Sequence, residues 1–277
     1  MTRLEETEKR GENGMKTVFF TISSGSSGNC AFIGCGGQGV LIDAGAPMRK
    51  VAAALESAGF SLSRVSGVFI THEHDDHIKN LRTIANRYKT PVFCNAATAR
   101  AVASKLPGLE TALLRPIGTG RRVSGGDFEV SSFSVSHDAA EPVGYTVKTA
   151  GAVISLLTDS GHITPQMQRH IQGSDLVLIE SNYDYDMLVG GSYPYFLKQR
   201  ILSERGHLSN DNCAKAVLGL VKSGVKHIVM GHLSKENNRP ERAYETTSLY
   251  LKKHGVSERD YTLVTAPRLC PCSVHNL

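Results

Sequence analysis

Residues 67–78, GVFITHEHDDHI, join an apolar strand pattern to a dense cluster of potential metal ligands. The first five residues form a short run rich in β-branched and aromatic side chains, which is typical of a buried strand. Three histidines and three acidic residues follow within six positions, from His72 to His77. Imidazole nitrogens and carboxylate oxygens suit zinc, manganese or iron. The segment therefore predicts a metal site at the end of a strand.

Apolar runs on both sides of this segment predict a mixed α/β domain. Strands are predicted at residues 16–22, 39–45, 67–71, 127–136, 143–149, 152–159, 175–181 and 227–232. Helices are predicted at residues 47–59, 210–223 and 241–255. The early strands alternate or pair as hairpins and the later ones alternate with helices. This arrangement predicts sheets in the middle of the domain with helices outside.

The length of 277 residues permits one large domain or two smaller ones. Because there is no repeat of fixed period and no low-complexity linker, one domain spanning residues 15–277 is the simpler prediction. Residues 1–14 are charged and lack an apolar core, so they are predicted to be a disordered leader rather than a secretory signal. Met15 is an alternative start. No apolar run is long enough to cross a bilayer.

The net charge and the cysteine content give only weak indications of the substrate and of the cellular location. The formal net charge of +5 is compatible with an anionic substrate such as nucleic acid, and equally with an ordinary solvated surface. Six cysteines without a paired framework suggest a reducing, cytoplasmic location. Cys270 and Cys272 could bind metal together, but no second cysteine pair completes a tetrahedral site, so ordinary thiols are the favoured interpretation.

The segment from His72 to His77 resembles the HxHxDH signature of the metallo-β-lactamase superfamily. The other motifs of that superfamily follow in order: Asp43 in LIDAG, His137 in SVSHD, Asp159 in LLTDSG and His232 in VMGHLS. Each of these residues stands at the end of a predicted strand, where an α/β scaffold gathers loop residues into one site. The resemblance implies a four-layer αββα sandwich, a fold that by itself does not reveal the reaction.

The resemblance also implies two divalent metal ions, zinc or manganese, in each chain. One ion would be held by His72, His74 and His137, and the other by Asp76, His77 and His232. Asp159 would lie between them. Asp43 is expected to orient the ligand loop through hydrogen bonds. Glu73 and Asp75 are expected to face solvent or to hydrogen-bond within the loop.

Further motifs are similar to the YycJ/WalJ-like subfamily, whose members are regarded as 5′-to-3′ DNA exonucleases. These motifs are SSGSSGNC (23–30), ESNYDYDML (180–188), YPYFLKQRILS (193–203), RGHLSND (205–211) and GHLSKENNRP (231–240). Tyr183 departs from the pattern, because many members carry histidine there. The interval from Asp159 to His232 is too short to contain the large β-CASP insertion of many nucleic-acid processing relatives.

Glu180 and His207 resemble a glutamate and a histidine that phosphodiesterase branches of the superfamily place beside the leaving group. A histidine held by a glutamate can donate a proton to the departing sugar oxygen. The resemblance therefore implies catalytic roles for both residues, with Asp76 holding a metal and a metal-bridging hydroxide as the nucleophile. The alternative is that His207 is a helix-terminal residue before a capping Ser209.

Several polar residues near these motifs are candidate substrate contacts. Ser26, Ser27 and Asn29 lie in a Gly/Ser-rich loop that could offer hydroxyl and N–H groups to a phosphate, or could simply be a hairpin turn. Lys235 and Asn237 could line a path for a nucleic-acid backbone, or belong to an exposed loop. Ser209 is the last candidate. The five histidines outside these motifs are treated as structural or surface residues.

The leading hypothesis is a cytoplasmic, binuclear metal-dependent phosphodiesterase that acts on DNA as a 5′-to-3′ exonuclease. The polarity rests wholly on the resemblance, and the sequence does not separate DNA from RNA, so an RNA-processing nuclease stays open. A thioesterase or lactonase resembling glyoxalase II shares the same ligands and is a second alternative. A non-catalytic nucleic-acid or partner-binding protein is a third, disfavoured because no ligand is missing.

Overall fold

The computed structural model describes residues 16–277, in which fourteen strands form two seven-stranded sheets. The predicted leader, residues 1–14, and Met15 lie outside the described residues. The first sheet has the strand order β14-β1-β2-β3-β4-β5-β6, and the second has the order β13-β12-β11-β10-β9-β8-β7. Both sheets mix parallel and antiparallel pairs.

The strands of the first sheet come from the first half of the chain, except for the last strand. They are β1 (Val18–Ser23), β2 (Cys30–Cys35), β3 (Gln38–Ile42), β4 (Val65–Phe69), β5 (Val92–Cys94), β6 (Leu114–Pro116) and β14 (His275–Asn276). The strands of the second sheet are β7 (Arg122–Gly125), β8 (Phe128–Ser134), β9 (Val143–Lys148), β10 (Val153–Leu157), β11 (Leu176–Glu180), β12 (His227–Gly231) and β13 (Thr262–Thr265).

Helices connect many of these strands and cover the outer faces of both sheets. They are α1 (Met48–Ser57), α2 (Asp75–Ile78), α3 (Leu81–Tyr88), α4 (Ala96–Lys105), α5 (Pro165–Ile171), α6 (Tyr185–Gly190), α7 (Tyr195–Leu202), α8 (Asn210–Lys222) and α9 (Pro240–Lys253). Short 3₁₀ turns occur at Leu62–Arg64 and Thr111–Leu113. Within the described residues, no helix is both long and apolar enough to span a membrane.

Alternation along the strands creates three hydrophobic layers. In β1, Phe19 packs between the two sheets, whereas the next residue, Phe20, packs on the opposite face with Leu55 of α1. Successive side chains of a strand point to opposite faces, so one strand can serve two cores. On the far side of the second sheet, Ile179 packs with Val217 of α8. These layers confirm the predicted four-layer αββα sandwich in one domain.

All eight predicted strands and all three predicted helices are present, and the differences lie in their ends and in short elements. The predicted strands 39–45 and 152–159 end early, at Ile42 and Leu157. Asp43 and Asp159 follow with φ angles of 61° and 56°, which a β-strand cannot accommodate. The strands β2, β5, β6, β7, β13 and β14 were not predicted; several have only two to four residues, too few to establish a period.

The interval between Asp159 and His232 holds four helices, α5 to α8, and the two strands β11 and β12. The whole interval lies within the described residues, and it contains no additional domain. The predicted absence of a β-CASP insertion is therefore confirmed.

Candidate metal centre

The candidate ligands meet at one edge of the sandwich because the strands before them run in the same direction. Asp43 follows β3, and His72 follows β4, which is parallel to β3. In the second sheet, Asp159 follows β10 and His232 follows β12, and both of these strands are parallel to β11 between them. The carboxyl ends of parallel strands meet at the same edge of a sheet. The two sheets thus bring their loops together over the inner core.

The backbone at this edge is unusual. Among the non-glycine residues of the described chain, four have a positive φ, and three of them, Asp43, Asp159 and His232, belong to the site. A non-glycine residue in the left-handed region costs on the order of 1 to 3 kcal/mol, and such residues cluster at functional sites. The surrounding contacts therefore hold these side chains in directions that an ordinary strand end would not give.

Gly45 allows the loop after β3 to contact the loop that carries the histidines. A Cβ atom at Gly45 would lie 1.7 Å from the carbonyl oxygen of Asp76, so only glycine fits. The backbone N–H of Asn29 donates to the same oxygen at 2.7 Å, and the N–H of Gly45 donates to the carbonyl of Asn29 at 2.8 Å. These contacts join three loops around the site and explain the glycine in LIDAG.

Two groups of three candidate ligands form on either side of Asp159. His72, His74 and His137 bring ligand atoms within 4.8 Å of one another. A second group with the same spacing contains Asp76, His77 and His232. These groups coincide with the two ligand sets that the resemblance implied.

Asp159 is placed between the two groups. Its carboxylate forms a further group with His72 and His77, one residue from each set. Its Oδ2 lies 3.3 Å from His77 Nε2, and its Oδ1 lies 3.7 Å from His137 Nε2. The carboxylate is thus positioned to bridge two ions.

Buried polar atoms without partners show that this arrangement suits metal ions. The Nε2 atoms of His72, His137 and His232 and the Oδ2 atom of Asp159 are buried with no hydrogen-bond partner. A buried polar atom left unpaired costs about 1 to 3 kcal/mol, so four of them converging on one point need an explanation. Divalent cations would satisfy all four, and a set of histidines and aspartates without cysteine fits zinc or manganese alike.

The protonation preferences of His72, His137 and Asp159 agree with ligand roles. Burial, reinforced by the neighbouring His77, holds the pKa of His72 well below its usual range, so its imidazole is neutral and can offer a lone pair. Burial likewise lowers the pKa of His137. Burial opposes ionisation of Asp159, but the imidazoles of His232 and His77 hold the pKa of its carboxyl well below the ordinary value. A neutral imidazole and an ionised carboxylate are the forms that bind metal. At His77 and His232 burial is outweighed by neighbouring carboxylates, which hold the pKa of both imidazoles well above the usual range, so a bound cation would have to displace a proton there.

Hydrogen bonds to the other ring nitrogen set the orientation of the candidate ligands. His77 Nδ1 donates to Asp43 Oδ2 at 2.7 Å, and His137 Nδ1 donates to the carbonyl of Gly206 at 3.0 Å. His232 Nδ1 donates to a carboxylate oxygen at 2.8 Å. Because each Nδ1 is engaged in this way, each Nε2 is left facing the centre.

Asp43 connects the loop after β3 to the histidine motif. Besides His77, its carboxylate accepts the backbone N–H of Thr71 at 2.9 Å and the Thr71 hydroxyl at 2.9 and 3.1 Å. The Thr71 hydroxyl has one proton, which it gives to Asp43, so it accepts from His72 Nδ1 at 3.0 Å. Asp43 therefore contacts a ligand of each group, directly or through Thr71.

Replacing Asp43 with asparagine is expected to lower metal affinity about 10- to 100-fold, the usual effect of removing a carboxylate that orients a ligand histidine. Asparagine keeps the size and tolerates the positive φ, but it removes the charge facing His77. Competition with a chromophoric chelator measures the affinity. Asp75→Asn is the matched control, because the Asp75 side chain is 87% exposed in the same loop. Equal affinity of the Asp43→Asn protein and the unaltered chain would contradict the prediction.

Glu180, at the end of β11, holds two histidines at once. Its Oε1 accepts from Nδ1 of His207 and from Nδ1 of His232, each at 2.8 Å. Its Oε2 accepts the backbone N–H groups of Ser160 and Leu208 at 3.0 and 3.1 Å. Burial opposes ionisation, but the His207 imidazole and these hydrogen bonds bring the pKa of Glu180 to about 2. The contact with His207 was expected from the sequence, whereas the contact with His232 was not.

A cavity of about 210 Å³ opens over the two ligand groups. His207 lines it beside His74, Asp76, His137, Asp159 and His232. Apart from Ser26, its remaining walls come from residues that the sequence did not single out: Asn182, Tyr193, Leu197, Arg200, Ile201 and Ser234. The site is therefore open to a substrate on the side formed by the α6–α7 segment.

The structure separates the candidate substrate contacts of the Gly/Ser-rich loop. Ser26 is exposed and lines the cavity. Ser27 is exposed, and its carbonyl accepts a hydrogen bond from Lys79. Asn29 is buried, with its side-chain amide 3.0 Å from both Asp76 Oδ2 and His77 Nε2. Asn29 thus contacts two candidate ligands rather than the cavity wall.

The other three candidates do not line the cavity. Ser209 is buried and caps α8, where its hydroxyl accepts the N–H of Asn212 at 3.2 Å. Lys235 is exposed and lies 3.6 Å from Glu236. Asn237 is only 1% exposed. The positions of Lys235 and Asn237 therefore do not support the expectation that these residues line a path for a nucleic-acid backbone. Ser209 acts as the N-cap of α8 and is not positioned to contact a substrate in the cavity.

Arg200 and Asp138 are the main residues at the site that sequence reasoning missed. Arg200 pairs with Asp138 through two hydrogen bonds, of 2.5 and 3.0 Å, and Asp138 Oδ1 lies 3.4 Å from His137 Nε2. A signal existed, because Asp138 directly follows the motif histidine and Arg200 lies within YFLKQRILS. Nothing in the local pattern, however, indicated that the two residues would meet.

The remaining expectations concern residues outside the centre. Glu73 is buried and its Oε1 accepts the backbone N–H of Ala140 at 2.9 Å, so it forms a hydrogen bond to a different loop rather than within its own. Tyr183, which departs from the subfamily pattern, is buried in a small cluster with Leu188 and Ile201. Neither Cys270 nor Cys272 belongs to a potential metal-binding group among the described residues, and all six cysteines are free thiols.

A sandwich of two sheets with histidine- and aspartate-rich loops at one edge defines a metal-dependent hydrolase of the αββα class. Residues 38–232 match the Beta-lactamase superfamily domain. The chain belongs to the metallo-β-lactamase superfamily, within the family of the YycJ and WalJ proteins.

Two relatives place the chain within this family, and one solved structure shares its fold. The chain is 37% identical over 237 residues to exodeoxyribonuclease YycJ of Bacillus anthracis, covering 86% of this chain and 90% of that protein. It is 36% identical over 227 residues to exodeoxyribonuclease WalJ of Streptococcus pneumoniae serotype 2 (strain D39 / NCTC 7466), covering 81% and 84%. The crystal structure of the metallo-β-lactamase fold protein YhfI from Bacillus subtilis superposes with a TM-score of 0.70 at 12% identity, covering 94% and 100%.

Proposed function

We propose that this chain is a binuclear metal-dependent phosphodiesterase that removes nucleotides from the 5′ end of DNA. The observation that carries the proposal is the Glu180–His207 pair, whose histidine enters the cavity directly beside Asp159 and the two ligand groups. The relatives named exodeoxyribonuclease support DNA as the substrate. The direction of degradation rests on resemblance to that family alone.

Two divalent ions, when bound, activate water as a nucleophile and neutralise the charge of a phosphate. His72, His74 and His137 would hold one ion, and Asp76, His77 and His232 the other, with Asp159 between them. This division follows the two geometric groups. A phosphodiester lying over the centre would then face His207 on the cavity wall.

His207 is proposed to be the general acid that protonates the leaving sugar oxygen. Its Nδ1 is held by Glu180 at 2.8 Å, so its Nε2 is available to substrate. Its side chain is 14% exposed, which gives access to the cavity while keeping the ring fixed. With Nδ1 held by the carboxylate, Nε2 is the ring atom that would donate the proton to the leaving oxygen.

Glu180 is proposed to be a positioning residue for this acid. Its four hydrogen bonds fix the carboxylate within the core, and it ties His207 to His232 of the second ligand group. The acid and the proposed metal ligand therefore share one anchor. This coupling would keep the leaving group close to the proposed metal pair during the reaction.

The Glu180–His207 pair also distinguishes this proposal from a thioesterase. A departing thiolate is a stable anion that needs no positioned acid, whereas an alkoxide leaving from phosphorus does. The pair therefore favours phosphodiester cleavage over thioester cleavage.

We place the protein in the cytoplasm because all six of its cysteines are free thiols, four of them deep in the core.

The test is an assay with end-labelled DNA and RNA of matched sequence, each single- and double-stranded. The purified chain is stripped with a chelator and reloaded with zinc or manganese before each reaction. Stepwise loss from the 5′ end of DNA, absent without metal and restored on reloading, is the expected result. Preferential cleavage of RNA would contradict the DNA assignment. Turnover of thioesters or lactones with no cleavage of either nucleic acid would contradict phosphodiesterase activity altogether.

A further inference from the structure

Exposed apolar side chains concentrate on the segment that forms one wall of the cavity. Eight large hydrophobic residues are strongly exposed in the described part of the chain, and four of them lie between positions 185 and 196. These are Tyr185 (53% exposed), Val189 (47%), Tyr195 (77%) and Phe196 (75%). A cluster of exposed apolar groups commonly marks an interaction surface.

The segment is well anchored, so the exposure does not come from loose packing. Leu188 of α6 and Ile201 of α7 share a small buried cluster with Tyr183. Between the helices, Lys198 Nζ donates to the carbonyls of Val189 and Gly191, both at 2.7 Å. The two helices are thus held against each other and against the body of the domain, while the aromatic rings at the start of α7 face solvent.

This exposed surface is continuous with the candidate active site. Tyr193, Leu197 and Arg200 all line the cavity that contains His207. Phe196 precedes Arg200 by four positions on α7, and residues four apart on a helix are neighbours on one face. Phe196 therefore lies one helical turn from Arg200 and is next along α7 to Leu197, two residues that line the cavity.

We propose that α7 binds the unpaired strand of DNA that leads into the cavity, with Phe196 stacking on a nucleobase and Arg200 contacting a backbone phosphate. This inference rests on the proposed function, because it assigns how the same site receives a single-stranded end. An aromatic side chain accepts any base on its flat face, so stacking is tolerant of sequence. A guanidinium group matches a phosphate through two parallel hydrogen bonds.

Asp138 now occupies the position that a phosphate would take. Its two carboxylate oxygens accept from Nε and Nη2 of Arg200, which shows that this guanidinium, on the cavity wall, can bind an anion through two hydrogen bonds. The Arg200 side chain is 45% exposed, and that of Asp138 is 32% exposed, so both can rearrange in water. Exchange of one anion for another at Arg200 is expected to be inexpensive, because partly exposed ion pairs are weak.

The order of chemical groups from α7 into the cavity favours a single strand of DNA as the bound partner. The exposed rings of Tyr195 and Phe196 lie outside the cavity, Arg200 lies on its wall, and the proposed acid and metal ligands lie within. A chain that places a base on Phe196 and a phosphate on Arg200 would continue towards His207. A peptide could also pack against the aromatic rings. A cavity lined by the candidate metal ligands and His207, however, would not favour the continuation of a peptide chain into it.

Binding of a fluorescein-labelled, single-stranded phosphorothioate oligonucleotide to the metal-loaded protein, followed by anisotropy, tests the proposal. Phe196→Ala is expected to weaken binding about 5- to 100-fold, because stacking contributes about 1 to 3 kcal/mol per base. Phe196→Tyr keeps the ring and should bind like the unaltered chain. Blunt duplex of the same sequence presents no unpaired base, so its affinity should change less than twofold in Phe196→Ala.

Tyr244→Ala is the matched control, since Tyr244 is also an exposed aromatic residue but lies on α9, outside the cavity wall. It should bind single strands normally. Unchanged binding of single strands by Phe196→Ala, or an equal loss with Tyr244→Ala or with blunt duplex, would overturn the proposal, as would failure of the unaltered chain to bind single strands. Selective loss in Phe196→Ala without any DNA cleavage by the unaltered chain would retain the binding surface and reject the nuclease function.

Discussion

An Asp159→Asn protein should hydrolyse phosphodiesters about 1,000-fold more slowly than the unaltered chain and should retain fewer metal ions. The carboxylate of Asp159 is 2% exposed and lies within ligand distance of His72 and His77. Metal ions contribute several kcal/mol to such reactions, and about 4 kcal/mol corresponds to a factor of about 1,000 in rate. If Asp159 bridges two ions, as proposed, removing its charge should therefore weaken the binding of both.

Asparagine is the informative replacement because it keeps the backbone intact. Asp159 has a φ of 56°, a conformation that asparagine tolerates well. The proposed metal ions would lose the anionic ligand between the two groups, which should weaken their binding even where the fold is preserved. Metal content by mass spectrometry, together with the rate of DNA degradation, measures both effects.

Asp260→Asn is a suitable control for the same change at an exposed position far along the chain, before β13. It should retain the metal content and rate of the unaltered chain. If Asp159→Asn kept two ions per chain and hydrolysed DNA within tenfold of the normal rate, Asp159 would not be a bridging ligand.

A His207→Ala protein should lose about 100- to 10,000-fold in the rate of DNA cleavage, the range for removal of one positioned general acid. The loss should shrink sharply for a nitrophenyl phosphodiester, because nitrophenolate leaves without being protonated. This difference between leaving groups separates an acid from a residue that only shapes the cavity. Steady-state rates with both substrates provide the measurement.

Metal content decides whether His207 has a different role. The His207 ring also comes within ligand distance of Asp159, Glu180 and His232. These four residues form a further group that could hold a metal ion. If His207 acts only as an acid, the His207→Ala protein should retain its full metal content. His254→Ala is the control, because His254 is exposed at the C-terminal end of α9. A drop in bound metal in His207→Ala would identify His207 as a ligand instead.

The local sequence was sufficient to predict those strands, helices and motifs whose conformation depends on a few adjacent residues. The strand Val65–Phe69 and the motif His72 to His77 are adjacent in the sequence, so a candidate metal site at the end of this strand could be predicted from the local pattern alone. The long strands and the three predicted helices carry enough residues to show their period, so their existence was predictable. The left-handed conformation of Asp43, Asp159 and His232 was not, because it depends on contacts between loops from different strands.

The sequence by itself determined the identity and order of the candidate ligands, the strand ends that present them and the fold class. Only the tertiary structure decided that Glu180 anchors both His207 and His232, that Asn237 is buried, and that Arg200 reaches Asp138 across 62 positions of the chain. The physical reason is that periodicity and motif spacing report the conformation of neighbours along the chain. Hydrogen bonds between distant loops depend on how the two sheets pack, and no local pattern encodes that packing.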